Sequence, residues 1–196
     1  MATGNLLSVY DTDDPFIRNF GEHRDAERKL AITGGLSGFE KMWKDFVDSP
    51  GAVYKRIVFD THGNRGRIFF THQAMDWGGA KSILGKYSYT KIFSEFTKIY
   101  FSGCNVADDD DGWLFLQEIA KQLCRTGGGL VIGWTSLGLG TRFSWPHTAK
   151  HLWGEARYVV ARPGGVIDDM FEGSTVVHQL MRGDPAGIRR YQLMDT

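Results

Sequence analysis

The chain contains no apolar run approaching the roughly 20 residues a helix needs to cross a bilayer. No membrane span is expected. Its first residues, MATGNLLSVYDTDDPF, carry neither a basic n-region nor a long apolar h-region. They do not read as an ordinary secretory signal; they read as the start of a cytoplasmic protein, or of a piece cut from something larger. Cysteine is scarce, with Cys104 and Cys124 the only 2 in 196 residues, too few for a disulfide framework. Cys124 reads as a buried thiol behaving as a small hydrophobe on a helix packed on a sheet. Net charge is also missing: Lys plus Arg and Asp plus Glu each number 23. A balanced chain offers no electrostatic argument for nucleic acid or an anionic membrane as partner. There is no internal repeat, no low-complexity tract beyond Asp108 to Asp111, and no proline- or serine-rich linker. One domain over residues 1–196 is the expectation.

What is present is ordinary for a globular protein: 42% hydrophobic and 23% charged residues. The 25 glycines gather at the ends of apolar runs, as in α/β proteins with tight strand-to-loop exits. Leu6 to Tyr10 (LLSVY) reads as a first strand, closed by the turn signal DTDDP. Ser37 to Val47 has helical spacing, with Ser37 and Glu40 placed for a capping box. RIVFD (Arg56 to Asp60) and KIYF (Lys98 to Phe101) read as buried strands. So do LVIGW (Leu130 to Trp134) and RYVVA (Arg157 to Ala161). Arg67 to Phe70 reads as a short strand paired after the Asn-Arg-Gly turn. Tyr89 to Phe96 is a helix candidate with Ile92, Phe93 and Phe96 inward. Gly112 to Cys124 is a stronger one, with Leu114, Phe115, Ile119 and Leu123 on its apolar face and glycines stopping it. Ser174 to Met181 is a late helix candidate.

Alternating strands and helices predict an α/β fold with a mainly parallel sheet and helices on both faces. Sites in such sheets lie at the carboxyl ends of the strands, which singles out Thr61-His62-Gly63, Ser102-Gly103-Cys104 and Trp134-Thr135-Ser136. Two successive buried strands each end in a reactive side chain beside a glycine: the imidazole of His62 and the thiol of Cys104. Neighbouring strands lie about 5 Å apart, so adjacency would bring the pair together. An imidazole can take the proton of a thiol, or stabilise the thiolate as imidazolium. The thiolate attacks a carbonyl and the ring then protonates the leaving amine. Backbone N–H groups at Gly63 and Cys104 could hold the oxyanion, and glycine lets a substrate backbone come close.

The stretches RIVFDTHGNRG and KIYFSGCNVADDDDGWLFLQEIAKQL resemble the caspase-like clan of cysteine peptidases. That clan includes caspases, metacaspases, gingipains, separase and the self-processing domains of large bacterial toxins. The second stretch is most similar to caspase-like domains of otherwise uncharacterised bacterial proteins. The resemblance covers roughly Tyr54 to Ser136 and implies a caspase-like three-layer sandwich. By position it implies His62 as general acid/base and Cys104 as nucleophile. Gly63, Gly103 and Cys104 fall at the oxyanion site, and Trp134 and Thr135 beside the first substrate pocket. Ser-Gly-Cys-Asn-Val departs from the caspase Gln-Ala-Cys-x-Gly signature, so aspartate specificity is not implied. The acidic run led by Asp108 would favour a basic substrate residue.

The expected activity is that of a cysteine endopeptidase or a self-processing protease domain. It would act on a protein or peptide substrate through a thioester on Cys104 and need no metal or organic cofactor. Two other readings stand beside it: a catalytically silent caspase-like module that binds a partner protein, and another Cys–His acyl-transfer enzyme. An EF-hand placed on the acidic run fails, because its first ligand position falls on Ala107. The run otherwise reads as a solvated helix start. His147 and His151, four apart but without an intervening acid, are weak metal ligands. His72 and His178 read as surface or packing residues, and Leu137 to Thr148 as a loop over the site or a connection. Neither oligomeric state nor cleavage preference is legible.

Overall fold

The computed structural model describes residues 6–93, 96–136, 138–139, 150–151 and 155–173. It opens with β1 (Leu6–Asp11), buried throughout, and α1 (Pro15–His23). The Asp14 carboxylate accepts the Phe16 and Ile17 N–H groups, and Pro15 stands in the first turn, where its missing N–H is no loss. The stretch read as a turn is thus also a helix start. After β2 (Arg28–Ile32) comes α2 (Gly35–Asp48). The predicted helix is there, but its capping box is not. The N-cap is Gly34, at φ 77° and with no side-chain cap. Gln73 Oε1 takes the Leu36 N–H at 2.8 Å, and Ser37 Oγ bonds back to Gly34 O at 3.1 Å.

Next come β3 (Arg56–Asp60) and a three-stranded antiparallel ribbon of β4 (His62–Gly63), β5 (Ile68–Phe70) and β6 (Gln73–Met75). The ribbon leads into α3 (Trp77–Leu84), then β7 (Thr97–Phe101), α4 (Asp109–Leu123) and β8 (Gly129–Trp134). A small pair, β9 (Gly138–Leu139) and β10 (Lys150–His151), precedes β11 (Ala156–Arg162) and β12 (Val166–Glu172). The helix expected at Tyr89 to Phe96 is corrected to a single turn, in which the Ile92 and Phe93 N–H groups both reach Tyr89 O. Tyr89 is pinned there: its hydroxyl accepts from Trp43 Nε1 at 3.0 Å and donates to Leu84 O at 2.8 Å. The helix α4 begins at Asp109 rather than Gly112, and Leu114 points to solvent rather than inward. Ser174 to Met181 and His178 lie outside the described residues, as does His147.

Seven strands form one sheet in the order β12-β11-β8-β7-β3-β1-β2. The five from β2 to β8 run parallel, and one edge is extended by β11, antiparallel to β8, and then β12, antiparallel to β11. Side chains alternate between two buried faces. Leu7, Val9, Ile57, Phe59, Ile99 and Phe101 meet Phe39 and Trp43 of α2, Ile83 of α3 and Phe115 and Ile119 of α4. The other face carries Val58, Tyr100, Ile132, Tyr158 and Val160, and α1 packs there. Gly21 of α1 sits so tightly on the Tyr10 ring that a Cβ would lie 2.0 Å from it. The expected α/β class is therefore observed: a mainly parallel sheet with helices on both faces. No helix among the described residues is long and apolar enough to cross a membrane.

Candidate active site

The strands that deliver His62 and Cys104 are neighbours. β3 and β7 pair in parallel with Phe59 opposite Phe101, and the pairing runs past their ends, where the Ser102 N–H reaches Phe59 O at 3.0 Å. Both exits therefore emerge at one edge, and there they touch. A Cβ on Gly63 would lie 2.7 Å from Cys104 O and 2.2 Å from Val106 Cγ2. One on Gly103 would lie 3.0 Å from Thr61 O and 3.1 Å from Gly63 N. Glycine at 63 is a packing requirement of the juxtaposition, and at 103 a Cβ would be a tight fit against the same backbone. The structure thus brings together the backbone segments of His62, Gly63, Gly103 and Cys104.

His62 opens β4, pairing with Phe69. Its side chain is 52% exposed, and its Nε2 lies 3.1 Å from Asp14 Oδ2. The other Asp14 oxygen, Oδ1, accepts the Phe16 and Ile17 N–H groups at 2.8 and 2.9 Å. Partial burial works to raise the Asp14 carboxyl, but the Ile17 N–H, His62 and the Phe16 N–H together hold it below the usual carboxylate range. The sequence reading missed Asp14 as a member of the site. Asp14-Pro15 is a helix-start signal, yet nothing local ties it to a histidine 48 residues away.

Cys104 is half-buried and forms no disulfide. The next residue, Asn105, takes φ 50°, a left-handed conformation that asparagine tolerates better than most residues. The loop beyond is stitched on three sides. Asn105 and Ala107 donate to Ser136 O at 3.0 Å and Trp134 O at 2.9 Å, and Val106 O accepts from the Gly66 N–H at 3.1 Å. Arg157 of β11 reaches Ala107 O at 2.7 Å and Asp109 O at 2.6 Å, and its guanidinium lies over the Trp113 ring.

The exit of β8 therefore borders the Cys104 loop. Trp134 Nε1 donates to the Tyr100 hydroxyl at 2.6 Å, and Thr135 Oγ1 bonds Glu155 O at 3.0 Å. Asp108 caps α4 by position but makes no side-chain cap bond. Arg65, on the ribbon side, approaches it at 3.9 Å and Asp109 at 3.4 Å, so part of the acidic charge is matched within the chain.

Beneath the two exits lies an ion pair that the sequence did not suggest. Arg24 is buried and grips Asp60 with two bonds, Nε to Oδ2 at 2.7 Å and Nη2 to Oδ1 at 2.5 Å. Ser102 Oγ adds a bond to Asp60 Oδ1 at 2.8 Å. This network joins the end of α1 to the residues just before His62 and Cys104.

The second thiol, Cys124, is fully buried, and burial pushes it up to about 12, far from any reactive range. His72 is exposed, and nothing is described of the His151 side chain. Among the described residues, no group of three or more His, Cys, Asp or Glu side chains is arranged to hold a metal. No protein-family model matches the chain, and no curated protein matches it.

Proposed function

We propose that this chain is a caspase-like cysteine peptidase, acting on peptide bonds or on its own chain through Cys104 and His62. One observation carries the reading. Two adjacent parallel strands end in a His-Gly and a Gly-Cys segment whose backbones are in contact. The sheet class and the half-buried, reduced thiol at a strand carboxyl end support it.

In this reading the Cys104 thiol gives its proton to the His62 ring and the thiolate adds to the scissile carbonyl. The N–H groups of Gly63 and Cys104 stabilise the oxyanion. The ring then protonates the departing amine, leaving a thioester on Cys104. Water, deprotonated by the same ring, releases the acid and restores the thiol. Trp134, Thr135 and Asp108 border the substrate side, with Asp108 drawing a basic residue.

Cys124 serves as an internal control. In native protein treated with iodoacetamide near neutral pH, Cys104 should be alkylated and Cys124 spared. His62→Ala should slow Cys104 alkylation by about 100-fold or more. Cleavage of a peptide library should then occur with wild type and vanish with Cys104→Ala. Slow alkylation of Cys104 that ignores His62→Ala, together with no cleavage, would instead identify a silent scaffold.

A further inference from the structure

Resting on that reading, we infer that Asp14 is the positioning residue of the site: it fixes which nitrogen of His62 carries the proton and which faces the thiol. The argument follows from the two oxygens of one carboxylate. Oδ1 is committed to the start of α1, accepting from Phe16 and Ile17. Oδ2 faces His62 Nε2 at 3.1 Å. An ionised carboxylate only accepts, so Nε2 must be the protonated nitrogen of the neutral ring. Nδ1 is then the lone-pair nitrogen, and the thiol proton has that atom to go to. After the transfer the imidazolium keeps Nε2–H on Asp14 and holds the former thiol proton on Nδ1. The amine leaving group takes the Nδ1 proton, and the ring returns to the same tautomer.

The anchoring of Asp14 is what makes this orientation firm. The carboxylate cannot swing away from His62 without giving up the first-turn donors of α1. Histidine tautomers are commonly set by the hydrogen bond on the nitrogen remote from the reacting group. Here that bond comes from a different strand exit than the one bearing His62. The carboxylate sits at the end of β1, next to β3 in the sheet, so three successive parallel strands contribute Asp14, His62 and Cys104.

The decisive variant is Asp14→Asn. Asparagine caps helices as well as aspartate does, so its oxygen stays on Phe16 and Ile17. Its amide nitrogen then replaces Oδ2 and presents a donor to Nε2. Long-range proton–nitrogen NMR of histidine-labelled protein, with His62 assigned by its loss in His62→Ala, reads the tautomer directly. Wild type should show Nε2–H, and Asp14→Asn should show Nδ1–H with Cys104 alkylation slowed about 100-fold. Asp14→Ser keeps a cap but is too short to reach the ring; it should give mixed tautomers and an intermediate loss. Should Asp14→Asn fail to fold, the Ser variant carries the test. Retention of Nε2–H and a near-wild-type alkylation rate in whichever variant folds would overturn the proposal and leave the peptidase reading standing. Failure of the peptidase reading looks different: wild-type Cys104 no faster than glutathione and indifferent to His62→Ala. That result removes the reaction for which Asp14 would position the ring.

Discussion

At residue 63 the chain has room for a hydrogen and little else. A methyl group there would overlap Val106 Cγ2 at 2.2 Å and crowd Cys104 O at 2.7 Å, and the second of these is backbone that cannot rotate away. Gly63→Ala should therefore push the His62 exit away from the Cys104 exit. Overpacking of this kind costs about 1–3 kcal/mol, and the resulting shift should cut Cys104 reactivity more than stability alone explains. Chemical denaturation with alkylation of the folded fraction separates the two. If alkylation of the folded protein is unchanged, the contact is only packing. His62, Gly63, Gly103 and Cys104 were legible because a reactive side chain beside glycine at the end of a buried strand is a local signal. Asp14, Arg24 and the Asp60–Ser102 contact were not, since each depends on which distant strand or helix end comes to lie alongside, and residue spacing does not encode that.

Among the elements, the inner strands were legible because they are buried on both sides, and α2 and α4 because each keeps an apolar face at helical spacing. β1, β3, β7, β8 and β11 are continuous apolar runs because both faces of the sheet are covered. Several elements with weaker apolar patterns, α1, β2 and β12 among them, escaped notice. α1 offers only Phe16, Ile17 and Phe20 as large apolar residues, and Phe16 is exposed. β12 alternates weakly through Val166-Ile167-Asp168-Asp169 because it is an edge strand. The missed element α1 matters, since its last turn runs into Arg24, whose guanidinium is the buried partner of Asp60. Arg24→Met keeps length and apolar volume but strands the Asp60 carboxylate under the site with Ser102 as its remaining described partner. Removing one partner of a buried pair costs about 3–5 kcal/mol. A loss of that size in urea unfolding is expected, and Arg24→Met with Asp60→Leu should recover much of it. A loss below about 1 kcal/mol, the value typical of exposed pairs, would mean that the network contributes little.

Across the whole molecule, one short segment holds the carboxyl edge of the sheet together. Asp11 accepts from the Asp13 N–H at 3.0 Å and from the Thr71 N–H. Asp13 accepts from Gly34 N at 2.9 Å and Thr71 Oγ1 at 2.5 Å, and Asp14 holds α1 and His62. Thr71 is kept at φ 59°, a conformation unfavourable for a β-branched residue, and these two aspartates supply its partners. The exits of β1, β2 and β3 and the ribbon turn are thus joined through ionised oxygens. The Asp13 carboxyl is held below its usual range by the Thr71 hydroxyl and then by the Gly34 N–H. For Asp14, partial burial opposes the shift, but the Ile17 N–H and His62 outweigh it. A depressed carboxyl favours the folded state while it is ionised. Its contribution is complete above the unfolded value of about 4 and is lost as pH falls through the lower folded value. Asp13→Asn/Asp14→Asn should therefore melt below wild type at pH 7. The gap should close as wild type is acidified below about pH 4, because its own carboxyls then become neutral. Melting curves from pH 7 to pH 3 decide the matter. A gap that stays constant with pH would mean that these bonds act through shape and not through charge. The loops around His62 and Cys104 would then be held by packing, chiefly the glycine contacts between the two exits.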